Sequence, residues 1–156
     1  MKLTTTSIAS SLFALAALTA GASAQAQVAI NQTTALAGTD YGFFQDPPGF
    51  PVAIMSAGSY KLTSNLTVPL GVSGVEIWAP GVTLDLNGFE IRSASGATCQ
   101  HVGNSYGVSC PNTLGKTGVE IKQGSAVLRN GRISGFYTGL LFKGADHIEN
   151  LIIENN

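Results

Sequence analysis

Charge is scarce in this chain: Asp, Glu, Lys and Arg together supply 11% of its 156 residues, against about 25% in an average domain. The eight basic and nine acidic residues are scattered. No basic stripe exists to neutralise phosphates, which excludes nucleic acid as a partner. Long apolar runs are missing as well. The longest, Ile8 to Ala20, falls short of the ~20 residues of a membrane span, so no membrane span is expected. Histidine and methionine occur twice each and cysteine only at positions 99 and 110, which leaves too few ligands for a zinc module.

What is present begins with an export signal. Met1 and Lys2 give a positive start, the apolar run from Ile8 to Ala20 follows, and no acidic residue precedes Asp40. Small residues then stand at the spacing that a signal peptidase reads, Ala22-Ser23-Ala24 before Gln25 or Ala24-Gln25-Ala26 before Gln27. The second site is preferred, giving a signal peptide over 1–26 and a secreted or periplasmic product. Loss of Lys2 takes the formal net charge from −1 to −2. What remains fits one domain.

In an oxidising compartment, Cys99 and Cys110 are expected to form a disulfide that closes a small Gly/Ser-rich loop. Such a bridge stabilises by ~2–3 kcal/mol. The rival reading, a metal site using Cys99, Cys110 and His101, lacks a fourth ligand and a familiar spacing, so no metal is assigned there.

The strongest signal is internal repetition. Gly74-Val75-Glu76-Ile77 recurs as Gly118-Val119-Glu120-Ile121, with Gly139-Leu140-Leu141-Phe142 as a third variant. A second block follows each copy: Val82 to Ile91, Ala126 to Ile133 and Asp146 to Ile153. Alignment puts Leu86, Leu128 and Ile148 in one row, Ile91, Ile133 and Ile153 in another, and Asn130 in line with Asn150. A period of about 20 to 22 residues built from short alternating runs is too short for helical repeats and fits the rungs of a β-solenoid. Each rung would stack on the next at the ~4.8 Å spacing of paired strands. Gly74 and Gly118 are two periods apart, and the stretch 93–117 has no alternating apolar run. It reads as one rung carrying a disulfide-pinned excursion. The fold expected is all-β: a parallel β-solenoid of few rungs over 58–156, preceded by an irregular cap over 27–57 that contains the turn segment Asp46-Pro47-Pro48-Gly49-Phe50-Pro51 and the aromatics Tyr41, Phe43, Phe44 and Phe50. The chain ends on a strand-like run with no capping element. That implies a truncated or partial chain, or self-association through the uncapped C-terminal end.

The segment Pro48-Gly49-Phe50-Pro51-Val52, then Gly58 to Val68, then Val82-Thr83-Leu84-Asp85-Leu86-Asn87-Gly88-Phe89, resembles secreted bacterial right-handed parallel β-helix repeat proteins of the pectate-lyase-like superfamily. The resemblance implies a right-handed β-helix and a bias toward carbohydrate. It brings no active site, since neither the clustered calcium-binding Asp residues and Arg base of pectate lyases nor the paired Asp and Gly-His-Gly turn of polygalacturonases is found.

Candidate chemistry therefore rests on the residues. Glu76 and Glu120 hold the same outward position in matching strands; two carboxylates ~5 Å apart repel, which raises one pKa or recruits Ca2+. Arg129 and Arg132 flank the Asn130-Gly131 corner, where an Arg beside carboxylates could act on an acidic sugar. Asn130 and Asn150 read as a hydrogen-bonded ladder. His101 and His147 have no visible nucleophile or metal partner. These readings favour a non-catalytic extracytoplasmic module that binds glycan (a polysaccharide) or a protein partner through Glu76, Glu120, Arg129 and Arg132. A polysaccharide lyase or other carbohydrate-active enzyme whose catalytic rungs lie outside this chain is the alternative. A NosD-like periplasmic copper-associated protein is a third, disfavoured by only two Met and two His.

Overall fold

The structure is a computed structural model and describes residues 27–40, 45–94, 100–101, 108–109, 115–144 and 146–156. The export signal over 1–26, the aromatics Tyr41, Phe43 and Phe44, and both Cys99 and Cys110 lie outside the described residues.

The first described segment runs through β1 (Val28–Ile30), α1 (Gln32–Ala37), β2 (Thr39–Asp40) and β3 (Gln45–Asp46). Three strands follow, β4 (Val52–Ile54), β5 (Gly58–Leu62) and β6 (Leu66–Val68), and three more repeat them, β7 (Val75–Ile77), β8 (Val82–Asp85) and β9 (Glu90–Ser93). A short antiparallel pair, β10 (Gln100–His101) with β11 (Val108–Ser109), separates these from β12 (Gly115–Ile121) and β13 (Val127–Ser134), after which come β14 (Phe136–Phe142) and β15 (His147–Glu154). Among the described residues the protein is thus all-β apart from one short helix, and its principal sheets are parallel.

Register gives the organisation. One sheet stacks β4, β7, β12 and β14, with Val52, Val75, Val119 and Leu140 in one column. The second stacks β1, β5 and β8 on the first half of β13, and β6 and β9 on its second half, with β15 beyond both. Each pass of the chain visits these three columns in the same order. Alternation decides which side chains turn inward: Val75 and Ile77 are fully buried around Glu76, as are Val82 and Leu84 around Thr83. Burying each such side chain contributes about 1.5–3 kcal/mol, and the core formed is one continuous stack from Ile30 to Phe136.

The bend between the β8 and β9 columns is made by asparagine. Asn87, Asn130 and Asn150 have φ of 52°, 60° and 50°, the left-handed conformation that Asn tolerates better than other L-residues with a side chain of its size. Their amides link successive passes: Asn87 Nδ2 donates to the Leu62 carbonyl at 3.2 Å, Asn130 Nδ2 to Asp85 Oδ1 at 3.2 Å, and Asn150 Nδ2 to Asn130 Oδ1 at 3.3 Å. The glycine of the repeated Gly-Val-Glu-Ile motif has a different cause. A methyl added at Gly118 would meet Ile133 Cγ2 and the Gly139 carbonyl, and one at Gly74 would meet the Gly118 carbonyl and Ile91. The backbone there passes too close to the core for any side chain.

Two details differ from the sequence reading. Leu84, not Leu86, stands in the row of Leu128 and Ile148. The β8–β9 corner is two residues longer than the Asn130-Gly131 corner, so a count made backward from Ile91 lands two residues late; Leu86 is buried at the corner instead. The segment 27–57 is also not irregular throughout, because β1 pairs with β5 and β4 with β7. These three-residue strands are too short to announce themselves and owe their form to the neighbour they pair with.

The segment ahead of β4 closes the exposed edges of the first pass. β1 covers β5. Gln32 Oε1 accepts from Thr67 N at 2.7 Å while its Nε2 donates to the Thr67 carbonyl at 3.2 Å, so one side chain imitates a missing strand beside β6. Asp46 Oδ1 accepts from Ala53 N at 2.8 Å and does the same for β4. α1 itself is held by a capping box between Asn31 and Thr34.

Candidate functional site

Glu76 and Glu120 are in register on the outward face of the first sheet, between Ala53 on one side and Leu141 on the other. The charge repulsion expected between them is answered from the same face. Lys122 Nζ lies 2.8 Å from Glu120 Oε2 and 3.6 Å from Glu76 Oε1. It also stands 5.1 Å from the centre of the Trp78 ring, and Trp78 Nε1 donates to Glu76 Oε2 at 3.2 Å. The hydrogen bond to Glu120, with the charge of Glu76 behind it, holds the Lys122 ammonium above its usual pKa. The cation that the two carboxylates recruit in this structure is therefore the protein's own lysine. Among the described residues no group of three or more His, Cys, Asp or Glu is placed to hold a metal ion.

Trp78 and Lys122 were not singled out from the sequence, although a signal was available. Residue i+2 in a strand returns to the same face. Glu76-Ile77-Trp78 and Glu120-Ile121-Lys122 therefore put an aromatic and an ammonium beside the two carboxylates. Trp78 is 40% exposed, so its ring is open to solvent although it is the only tryptophan in the chain.

Arg129 and Arg132 do not join this cluster; they belong to β13, in the other sheet. Arg129 sits in a column of alternating sign, Lys61, Asp85, Arg129, Glu149. Its Nε donates to Asp85 Oδ2 at 3.1 Å and its Nη1 lies 3.8 Å from Glu149. Burial raises the Asp85 carboxyl, but the Asn87 backbone N–H at 2.8 Å, the Asn130 amide and the Arg129 charge outweigh it and leave the group below the usual carboxylate range. Beyond the asparagine bend, Arg132 pairs with Glu154, Ser134 donates to Glu90 at 2.7 Å, and Arg92 donates to Thr67 Oγ1 at 3.2 Å. The Asp146 carboxylate accepts from Ala126 N at 2.9 Å, and His147 pairs with Glu149 at 3.3 Å.

The four sequence-chosen residues thus form two separate groups, in each of which every cation is paired with carboxylates. Neither arginine is free beside a carboxylate pair, as a base abstracting a proton from an acidic sugar would need to be. The Trp78 group has a different capability: an indole ring with the Lys122 ammonium over it offers a flat apolar surface, while Glu76 and Glu120 beside it offer hydrogen-bond acceptors and Lys122 a donor. No family model, curated protein or solved structure matches this chain.

Proposed function

We propose that the chain is an exported, right-handed parallel β-helix module of the pectate-lyase-like kind that binds a polysaccharide on its outer surface without catalysing its cleavage. Three parallel columns visited in the same order on every pass support the β-helix reading. The observation that carries the binding reading is the Trp78 ring, 40% exposed, with Lys122 over it and Glu76 and Glu120 beside it. A pyranose ring stacks its C–H face on such an indole and directs its hydroxyls to the carboxylates and the ammonium. The lyase alternative places its catalytic groups on rungs outside this chain, because Arg129 and Arg132 are both held by carboxylates.

Because Trp78 is the sole tryptophan, its fluorescence reports on the site directly. Titration with soluble polygalacturonate and with a neutral glucan is expected to give a saturable change in emission for at least one of them. Calorimetric binding of that polymer should be lost in Trp78→Ala and weakened about tenfold in Glu120→Gln. Emission unaffected by either polymer, with no heat of binding, overturns the reading. Terminal sequencing of exported protein should begin near Gln25 or Gln27.

A further inference from the structure

The Trp78 group already holds an ammonium. Trp78 N–H donates to the Ile54 carbonyl and Lys122 N–H to the Ile77 carbonyl, both at 2.8 Å, so the parallel ladder runs past the strand ends and sets the two residues side by side on the outward face. The Lys122 ammonium then stands where three attractions converge: Glu120 Oε2 at 2.8 Å, Glu76 Oε1 at 3.6 Å, and the indole face with its centre 5.1 Å away. Carboxylates and an aromatic face around one point are the means by which proteins recognise ammonium groups. Acids outnumber bases at this point. Glu76 and Glu120 share Lys122, and among the described residues no other cation lies within ion-pair distance of either. Lys143, which follows Phe142 on the neighbouring pass, pairs with neither.

Resting on the polysaccharide reading above, we infer that the sugars held at Trp78 carry free amino groups, as in a deacetylated hexosamine polymer, and that Lys122 occupies the ammonium position until such a sugar displaces it. The pyranose ring lies on the indole, and its ammonium takes the place of Lys122 Nζ between Glu76 and Glu120. Lys122 is able to leave because its stem is flexible and its side chain reaches solvent. One ammonium replaces another, so the charge pairing is conserved and the stacked ring supplies the gain in affinity. Other sugars lack this exchange. A neutral sugar on the same face would leave both carboxylates without a cation, and a uronate would bring a third carboxylate to them. A basic peptide is the other source of ammonium groups, but it needs an acidic field wider than this one. The outward positions on either side of the two glutamates are Ala53 and Leu141, and neither is charged.

The test compares glucosamine and N-acetylglucosamine oligomers of equal length, by Trp78 emission and by calorimetry, with a neutral glucan, polygalacturonate and oligolysine alongside. The glucosamine oligomer is expected to bind about tenfold tighter than its acetylated counterpart, the glucan, polygalacturonate or oligolysine. Lys122→Ala, with its fold checked by circular dichroism, should tighten binding of the glucosamine oligomer about tenfold, because the internal competitor is gone, and weaken binding of the glucan, which loses a donor. Should that variant not fold, the matched oligomers on the parent protein decide alone. Equal binding of the two oligomers overturns the inference while leaving the polysaccharide reading in place. Polygalacturonate binding as tightly as the glucosamine oligomer, or a folded Lys122→Ala variant that binds this oligomer no tighter than the parent, does the same. Oligolysine matching the glucosamine oligomer overturns the inference in favour of a basic peptide. Absence of binding by every glycan overturns both readings together.

Discussion

Asp46 shows how one side chain can be indispensable and costly together. It is 3% exposed, its Oδ1 accepts the Ala53 N–H, and its Oδ2 has no partner among the described residues. Burial raises its pKa above 3.8, only partly offset by that hydrogen bond. The native state therefore holds the proton more tightly than the unfolded chain, and stability contributed at low pH is lost as pH climbs from about 3.8 through the raised value. Asp46→Asn keeps the acceptor and removes the charge. The melting temperature of the variant relative to the parent should rise between pH 3.5 and pH 7. Asp85 has the opposite sign, since its folded pKa is lowered. Its contribution is present above 3.8 and fades as pH falls through the depressed value, so Asp85→Asn should cost about 1 kcal/mol at neutral pH and nothing in strong acid, measured by urea unfolding.

At the scale of the element, the repeated Gly-Val-Glu-Ile was legible because its spacing shows in the sequence, and the register of Glu76 on Glu120 followed from it. The reason for its glycine was not legible, since it depends on Ile133 and Gly139, residues from later strands. Gly118→Ala should lower stability by about 2–3 kcal/mol in denaturant titration, through overpacking and not through loss of a turn. The slip of Leu86 for Leu84 arose where a corner changes length, which alternation cannot register. The edge-capping by Gln32 was invisible for a third reason: Thr67 is 35 residues away, and nothing local in the sequence marks a side chain that stands in for a strand. Gln32→Ala should cost about 1–2 kcal/mol and increase aggregation seen by light scattering, because it uncovers β6. At the candidate site, the two glutamates could be found by repetition, but Lys122, which bridges them, and the partly exposed Trp78 break the repetition and were passed over.

Over the whole molecule, stability is a sum of neighbour contacts between successive passes. Amide hydrogen exchange should be slowest in β8, β12 and β13, which have strands on both sides, and faster in β15, which pairs on one side among the described residues. The column Lys61, Asp85, Arg129, Glu149 has a consequence for how such a chain can change its length over evolutionary time. Its signs alternate from pass to pass, so deleting the pass that carries Asp85 would bring Lys61 against Arg129, and deleting the one that carries Arg129 would bring Asp85 against Glu149. Removing both together leaves Lys61 facing Glu149. Gain and loss of repeats along this column is therefore tolerated by twos, a parity written in charge.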